Sequence, residues 1–471
     1  MFLLWRAFYR LLESRPATEL TLAVLRLAAA VKGRRWMHAQ IDRLEHRLAF
    51  SGWPAHPSGW TNLHMSRFFT TLRRRVTPAV PPPPRRAVRP GDRVKMACVG
   101  KFRGLLGFPG ELFVQRPERV ELTIVDLAYD GHAAAYLQPL ADRYMTIALD
   151  NPSTYDDQLR LAAAAVADVD LLLNANMKRD AHDLLDRVDT PCVFNYCTGS
   201  DLLHHDRVDV QLHGQPQADY FVDGRRMFCG TTRAWFSDRV VVPFRGLYDR
   251  RGLNDGGVAP WEDRDPLIVF HGSLYKLASP ALLDCLWSLL AGDSALEFVF
   301  MGRHDSQALD LIEMTAKRRG VSARVHYEGQ FVSTRNADGC VDDPGWSKIR
   351  GYLGRARLAP DPWPIGGGSA RFECYALGVP SVHMGVRFDR ASWGRQQPAV
   401  IDVLPLVIPA ATATSPEQYR KLCERCLHDA AFAHDLAVEQ RRVARRASDP
   451  QVWWAQVLDC YDEWRRERER S

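Results

Sequence analysis

The sequence predicts an α/β protein: two Rossmann-like domains in tandem, preceded by an amino-terminal helical module. Three observations carry that prediction. Short β-branched apolar runs alternate with helix-length amphipathic segments over residues 93–250, and the alternation starts again over 264–445. Each series opens on an apolar strand that stops at a glycine, VKMACVG and PLIVFHG. At 471 residues, the chain exceeds what one ordinary core serves.

The elements follow in order. Residues 1–77 form the helical module: LTLAVLRLAAAV and WMHAQIDRLEHRLAF carry apolar residues at three- and four-residue spacing, and LHMSRFFTTLRRR adds a short helix ending in a basic run. SGWPAHPSGW between them is a loop by its Gly, Pro and Ser content. Residues 78–92, around PAVPPPPRRAVRP, read as an extended, semi-rigid proline-rich linker. In the first domain, 93–250, the strand VKMACVG leads through the glycine-rich GLLGFPG to the strand ELTIVDL, the helix AAAYLQPLADR and the strand MTIAL. Then come the helix YDDQLRLAAAAVA, the strand VDLLLNAN, and two more strands, PCVFNY and VDVQLH. DRRGLNDGGVAPWEDRD joins this domain to the next.

The second domain, 264–445, alternates PLIVFHG, SPALLDCLWSLL, LEFVFMG and SQALDLIEMTAKRRG as strand, helix, strand, helix. RVHYEGQF, GWSKIRGYLGRA and RLAPDPW continue the pattern, followed by the helix SARFECYALG, stopped by Gly378, and the strand VPSVHM. A helix over 446–471 closes the chain. Such βαβ alternation calls for parallel sheets with helices on both faces.

Composition narrows the class. A hydrophobic content of 46% with 25% charged residues fits a soluble globular protein. Ten cysteines are too sparse for a disulfide framework and point to a reducing compartment, so a cytoplasmic location is expected. MFLLWRAFYRLLES is interrupted by Arg6 and Arg10, lacks a small-residue cleavage site and is not read as a secretory signal; no stretch reaches the apolar length of a membrane span. The net charge of +6 hides an asymmetry: residues 1–93 hold 17 Lys and Arg against 5 Asp and Glu, so the rest is net acidic. The basic module either meets an acidic partner or an anionic membrane surface, or docks on the acidic remainder; nucleic acid is not the expected partner.

Two motifs carry chemistry. In IVFHGSLYKLASP a single lysine, Lys276, follows a strand end just before a helix start. It is either an ordinary solvated lysine or a phosphate ligand, because open α/β sheets bind ligands outside the carboxyl ends of their strands. In DPWPIGGGSARFECYALGVP, the triplet Gly366, Gly367 and Gly368 leads into Ser369 and a helix. Glycines let backbone approach an anion, Ser369 can cap the helix, and Glu373 one turn inside can accept bonds from ribose hydroxyls. A lysine and a helix terminus together can neutralise a departing diphosphate without a metal. Asp168-Val-Asp170, the well-placed Asp-x-Asp, reads as a strand cap rather than a metal site. Cys423 and Cys426 have C-x-x-C spacing but no second pair, so a structural zinc is not expected, and Trp346, Trp363 and Trp393 read chiefly as packing residues.

LYKLASP with DPWPIGGGSARFECYALGVPSV resembles the catalytic region of the O-linked N-acetylglucosamine transferase family, whose superfamily includes the bacterial cytosolic N-glycosyltransferases of adhesins. The resemblance spans roughly residues 93–430 and is firm over 266–385. It implies two Rossmann-like domains in the GT-B arrangement and metal-independent, inverting transfer of a hexose from a nucleotide sugar, UDP-linked, to a protein side chain. By that resemblance Lys276 binds the donor diphosphate and assists its departure. Ser273 and Arg303 are further polar donor contacts, Gly368, Ser369 and Ala370 form the pyrophosphate-binding helix start, and Glu373 binds ribose. In the first domain, CTGSDLLHHDRVDV offers His204 as the group that takes a proton from the acceptor or orients the sugar, with His205 and Asp206 beside it; a loop pair of surface histidines and a two-His, one-carboxylate metal site are the other readings. The chain departs from the family where three glycines replace bulkier polar groups, and where VGKFRGLLGFPGELF, with Gly104, Gly107 and Gly110, stands in place of family histidines. A glycan- or lipid-linked acceptor, and a non-catalytic scaffold that binds an acidic partner through its basic module, are the alternative readings.

Overall fold

The computed structural model describes residues 83–89, 91–102, 113, 115–127, 137–149, 154–175, 179–197, 205–213, 226–229, 232–236, 258–330, 334–335, 341–342, 344–363, 366–367, 369–385, 408–447 and 449–470, with scattered positions between 23 and 40, all helical.

The first sheet contains β1 (Val94–Gly100), β2 (Val120–Asp126), β3 (Arg143–Thr146), β4 (Leu171–Ala175), β5 (Cys192–Cys197), β6 (Val210–His213), β7 (Arg226–Cys229) and β8 (Thr232–Phe236). Their order is β3-β2-β1-β4-β5-β6-β8-β7, parallel except for the β7–β8 pair. Period-two alternation sorts the side chains. Val94, Met96 and Cys98 point to one face, which the closing helix covers; Ala97 and Val99 point to the other, beneath α1 (Tyr155–Ala165) and α2 (Arg179–Leu185). Both faces are therefore apolar, and LLLNA of β4 is buried at every position.

The second sheet repeats the plan. β9 (Asp265–His271), β10 (Glu297–Met301) and β11 (Val325–Tyr327) are followed by a short antiparallel pair, β12 (Thr334–Arg335) and β13 (Val341–Asp342), and then β14 (Ala356–Leu358), giving the order β11-β10-β9-β14. β15 (His383–Met384) and β16 (Thr412–Ala413) pair in parallel. Ala359 N donates to Pro380 O and Asp361 N to Val382 O, both at 2.9 Å, so the chain before β15 runs beside the chain after β14. The helices here are α3 (Pro280–Gly292), α4 (Ser306–Arg318), α5 (Pro344–Arg355), α6 (Ser369–Leu377), α7 (Pro416–His428) and α8 (Ala430–Ala447). Their ends carry the expected chemistry: Asp305 accepts from Ala308 N, Ser415 accepts from Gln418 N, and Gly378 adopts φ +66° after α6.

Several expectations shift. The described end of the helix expected over AAAYLQPLADR is a single 3-10 turn, Gln138–Leu140. β3 begins two residues before the expected MTIAL, because the Asp142 carboxylate accepts Leu122 N and Asp142 N donates to Leu122 O. β14 is shorter than RLAPDPW, since Pro360 has no N–H to give a ladder. The β7–β8 hairpin was not expected.

The proline-rich segment is not a free spacer. Arg85 Nη1 lies 2.7 Å from both carboxylate oxygens of Asp209, Arg86 lies 3.1 Å from Asp189, and Arg89 lies 3.7 Å from Asp170. Asp209 and Asp170 directly precede β6 and β4, and Asp189 lies three residues before β5, so the segment crosses the amino edge of the first sheet in strand order before entering β1. The closing helix, α9 (Pro450–Arg470), returns to this same domain: Trp453, Trp454, Val457, Tyr461 and Trp464 enter its core. Arg119 pairs with Asp462 at 2.7 Å. Among the described residues no helix is long and apolar enough to cross a membrane.

Candidate active site

The strand order places a crevice at the carboxyl ends of β9 and β14, where the chain leaves β9 toward β10 on one side and β14 toward β15 on the other. β9 ends at His271. Gly272 follows at φ +143°, a region that only glycine enters readily, and its N–H donates to Met301 O at 3.0 Å. Leu274–Leu277 is one 3-10 turn. Leu274 and Leu277 anchor it in the core, and the half-buried Lys276 between them donates from Nζ to Gly366 O at 2.7 Å. The lysine and the glycine triplet, ninety residues apart, thus meet.

The glycine loop is held from below. Asp361, just past β14, accepts Gly367 N on Oδ1 at 2.7 Å, and its Oδ2 lies 3.4 Å from Arg371 Nη1 on α6. Both side chains are buried, and Tyr419 OH donates to the Asp361 carbonyl. A Cβ on Gly367 would stand 2.6 Å from Asp361 Oδ1. That close approach explains a glycine at this position. Ala370 N donates to Gly367 O as α6 begins.

Glu373, one turn into α6, is buried, with Oε2 2.7 Å from Nε2 of the equally buried His271. His271, Asp361 and Arg371 are the site's residues that the motifs alone do not single out. The one signal for His271 is a polar residue closing an otherwise apolar strand. Ser273 is exposed at the start of the 3-10 turn, and its side chain makes no capping bond. Arg303 is exposed beside the same corner, one residue past Gly302 at the end of β10. Ala370 lies against Gly272, whose ideal Cβ position is 3.9 Å from the Ala370 Cβ. Ser369 begins α6. Gly368 and His204 lie outside the described residues, as do Gly104, Gly107, Gly110 and Trp393.

Other candidates sit elsewhere. His205 is buried, its Nε2 3.2 Å from Asp186 Oδ1 and its Nδ1 accepting Arg207 N, so it is not a surface histidine. Asp170 accepts Lys95 N and Asp168 accepts Lys95 Nζ at the amino edge of the first sheet, the end opposite a ligand crevice. Lys95 holds the Asp168 carboxyl below the usual range. Cys423 and Cys426 are core residues of α7; burial pushes both thiols up, Cys426 to about 12. Trp363 packs edge-on against Tyr419 in the core. Deeper under α6, His383 is buried with Nε2 2.8 Å from Thr412 Oγ1, and burial, then the Arg371 cation, pushes its pKa well below the ordinary histidine value. Among the described residues no cluster of three or more His, Cys, Asp or Glu side chains is arranged to hold a metal ion.

No protein-family model matches the chain, and no curated protein matches it. Solved structures do. A mutant of the Thermobaculum terrenum O-GlcNAc transferase superposes at a TM-score of 0.64 with 16% identity, covering 96% of this chain and 81% of that one. A glycosyltransferase from Rickettsia africae matches at a TM-score of 0.47 with 10% identity, covering 79% of this chain and 99% of its own. At such identities a likeness speaks for architecture. The chain has the fold of the GT-B glycosyltransferases, two Rossmann-like domains with a closing helix that returns to the first.

Proposed function

We propose that this protein is a glycosyltransferase that moves a hexose from a nucleotide sugar, UDP-linked, to an acceptor, most simply a protein side chain. The observation that carries the reading is the meeting of Lys276 with the glycine loop at the switch point of the second sheet. In inverting transfer, the acceptor oxygen or nitrogen attacks the anomeric carbon while the bond from that carbon to the diphosphate breaks. Negative charge then grows on the diphosphate. An ammonium group has three donors, so holding Gly366 O is compatible with meeting the phosphates. The first N–H groups of α6 add donors and a positive dipole end. Together they supply the stabilisation that other enzymes draw from a divalent metal.

The resemblance to the O-GlcNAc transferase family supports the remaining roles. Ser273 and Arg303 flank the corner as donor contacts, Gly368, Ser369 and Ala370 line the pyrophosphate, and Glu373 meets the ribose. His204 takes the acceptor's proton. The basic residues 1–93 contact the acceptor protein or an anionic membrane surface, and the protein works in the cytoplasm.

Isothermal titration with UDP tests the central assignment. Removing a charge-assisted phosphate contact costs about 1.5–3 kcal/mol, so Lys276→Ala weakens binding about ten- to a hundredfold. Equal affinity in the variant would overturn the role of Lys276. Intact-mass spectrometry of co-expressed acceptor proteins with a panel of nucleotide sugars then reads out the transfer itself.

A further inference from the structure

His271 closes β9, and Glu373 lies 102 positions away on α6, yet their side chains meet at 2.7 Å with 7% and 8% of their surfaces exposed. A buried carboxylate is costly unless it is hydrogen-bonded, and a packed apolar pair of the same volume would serve stability as well or better. The pair stands at the switch point. Its histidine lines the same cleft as Asp361, Gly367 and Ala370, next to the corner that carries Lys276. A glutamate has three rotatable bonds, and a recognition group has to be held to about half an ångström. The imidazole, fixed at the end of a buried strand, removes that freedom.

We propose that His271 is a positioning residue for nucleoside recognition: it holds the Glu373 carboxylate in the orientation that accepts the ribose hydroxyls of the donor. This rests on the glycosyltransferase reading above. Its signature is selective, because loss of His271 should lower the preference for a 2′-hydroxyl and leave the diphosphate contacts in place.

The test is titration of UDP and 2′-deoxy-UDP into the full-length wild type, His271→Ala, His271→Gln and Glu373→Gln, with thermal melts of each. The wild type prefers UDP. His271→Ala reduces that preference about tenfold while its affinity for 2′-deoxy-UDP changes less than about threefold. His271→Gln, whose amide N–H reaches a similar place, recovers most of the preference. Glu373→Gln loses it, and adding His271→Ala to that variant costs no more. An unchanged ratio of the two affinities in His271→Ala, or an equal loss for both ligands, reduces His271 to packing and overturns the proposal. If the alanine variant does not fold, His271→Leu, which fills the space without a donor, is titrated in its place and read by the same criterion. A wild type that binds UDP without preferring it also overturns the proposal and leaves the function standing. A wild type that binds neither ligand removes the glycosyltransferase reading first, and the proposal with it.

Discussion

Gly302→Ala puts the construction of the donor corner to a direct test. A Cβ at Gly302 would stand 1.8 Å from the carbonyl oxygen of Gly272 and 3.1 Å from Leu274 Cδ2. The first neighbour is backbone, so no rotamer change relieves it. The ends of both strands are fixed: Gly272 N donates to Met301 O, Gly302 N donates to Gly329 O, and Tyr327 OH donates to Gly302 O, each at 3.0 Å. Ordinary contact needs roughly 1.5 Å more separation, which the corner supplies only by moving. Overpacking of this kind costs about 1–3 kcal/mol, a fall of about 5 °C in melting temperature for a domain of this size. The corner carries Lys276, and losing its charge-assisted phosphate contact costs about 1.5–3 kcal/mol, about ten- to a hundredfold in affinity. UDP affinity should therefore fall at least about tenfold. Gly354→Ala in α5 is the internal control, since a Cβ there meets nothing within 4 Å. It should gain up to about 1 kcal/mol from helix propensity and leave UDP binding alone. Thermal melts and titration calorimetry on the two variants decide the matter. A Gly302→Ala protein that melts within about one degree of wild type and binds UDP equally well would refute the account of the corner.

Two further outcomes follow from groups away from the corner. The folded protein keeps His383 neutral, with its pKa well below the unfolded value of 6.5, so below that pH the unfolded chain takes up a proton that the folded one refuses. Stability from this group is complete above pH 6.5 and falls by about 1.4 kcal/mol per unit below it, so melts between about pH 7.5 and 5.5 should show a shallower pH slope in His383→Gln than in wild type; parallel slopes would contradict the assignment. Arg85→Ala removes the closest cation of Asp209, whose carboxylate is 9% exposed and keeps Val193 N and the more distant Arg468, and should cost about 1–2 kcal/mol in stability with UDP affinity unchanged, because the strap lies on the first domain's amino edge. A parallel loss of UDP binding would show that the strap reaches the donor corner.

The legible parts of this sequence are those that backbone chemistry dictates locally. Strands buried on both faces must be apolar along their length, and LLL of β4 and IVF of β9 show it, with polar residues entering toward their carboxyl ends. A glycine at φ +143° and a loop pressed against a carboxylate demand glycine, so the corner and part of the triplet announce themselves. The lysine stands out because it is alone. What stays hidden is pairing at long range. Nothing local ties His271 to Glu373, or Asp361 to Arg371, since each bond exists only after β9, β14 and α6 have assembled. The composition of the proline-rich segment says that it is extended, but not whether an extended chain is free. Its fate is written in other places, in the aspartates before LLLNA, CVFNYC and VQLH that await its arginines.

The distribution of buried polar groups over the two sheets then follows from topology. At the amino edge of the first sheet, Asp170, Asp189 and Asp209 each join a strand start to an arginine of the strap, and fastening the chain accounts for them. At its carboxyl edge the polar groups bond to one another. Asp126 accepts Phe102 N and Tyr144 OH, Asn174 donates to Asn195 Oδ1 at 2.6 Å on the neighbouring strand, and Lys101 pairs with Asp180 at 2.8 Å across the gap between β1 and α2. The second sheet has the same order in its first four strands, and it too collects buried polar residues, His271, Asp361, Arg371 and Glu373, around the ends of its first and fourth strands. Apolar residues would fill those places at less cost. Parallel strands leave the core there with their crossovers diverging, which is where open α/β sheets form a crevice. The polar residues at the carboxyl edge of the second sheet therefore stand where the proposed donor site needs them, whereas the aspartates at the amino edge of the first sheet fasten the arginine strap.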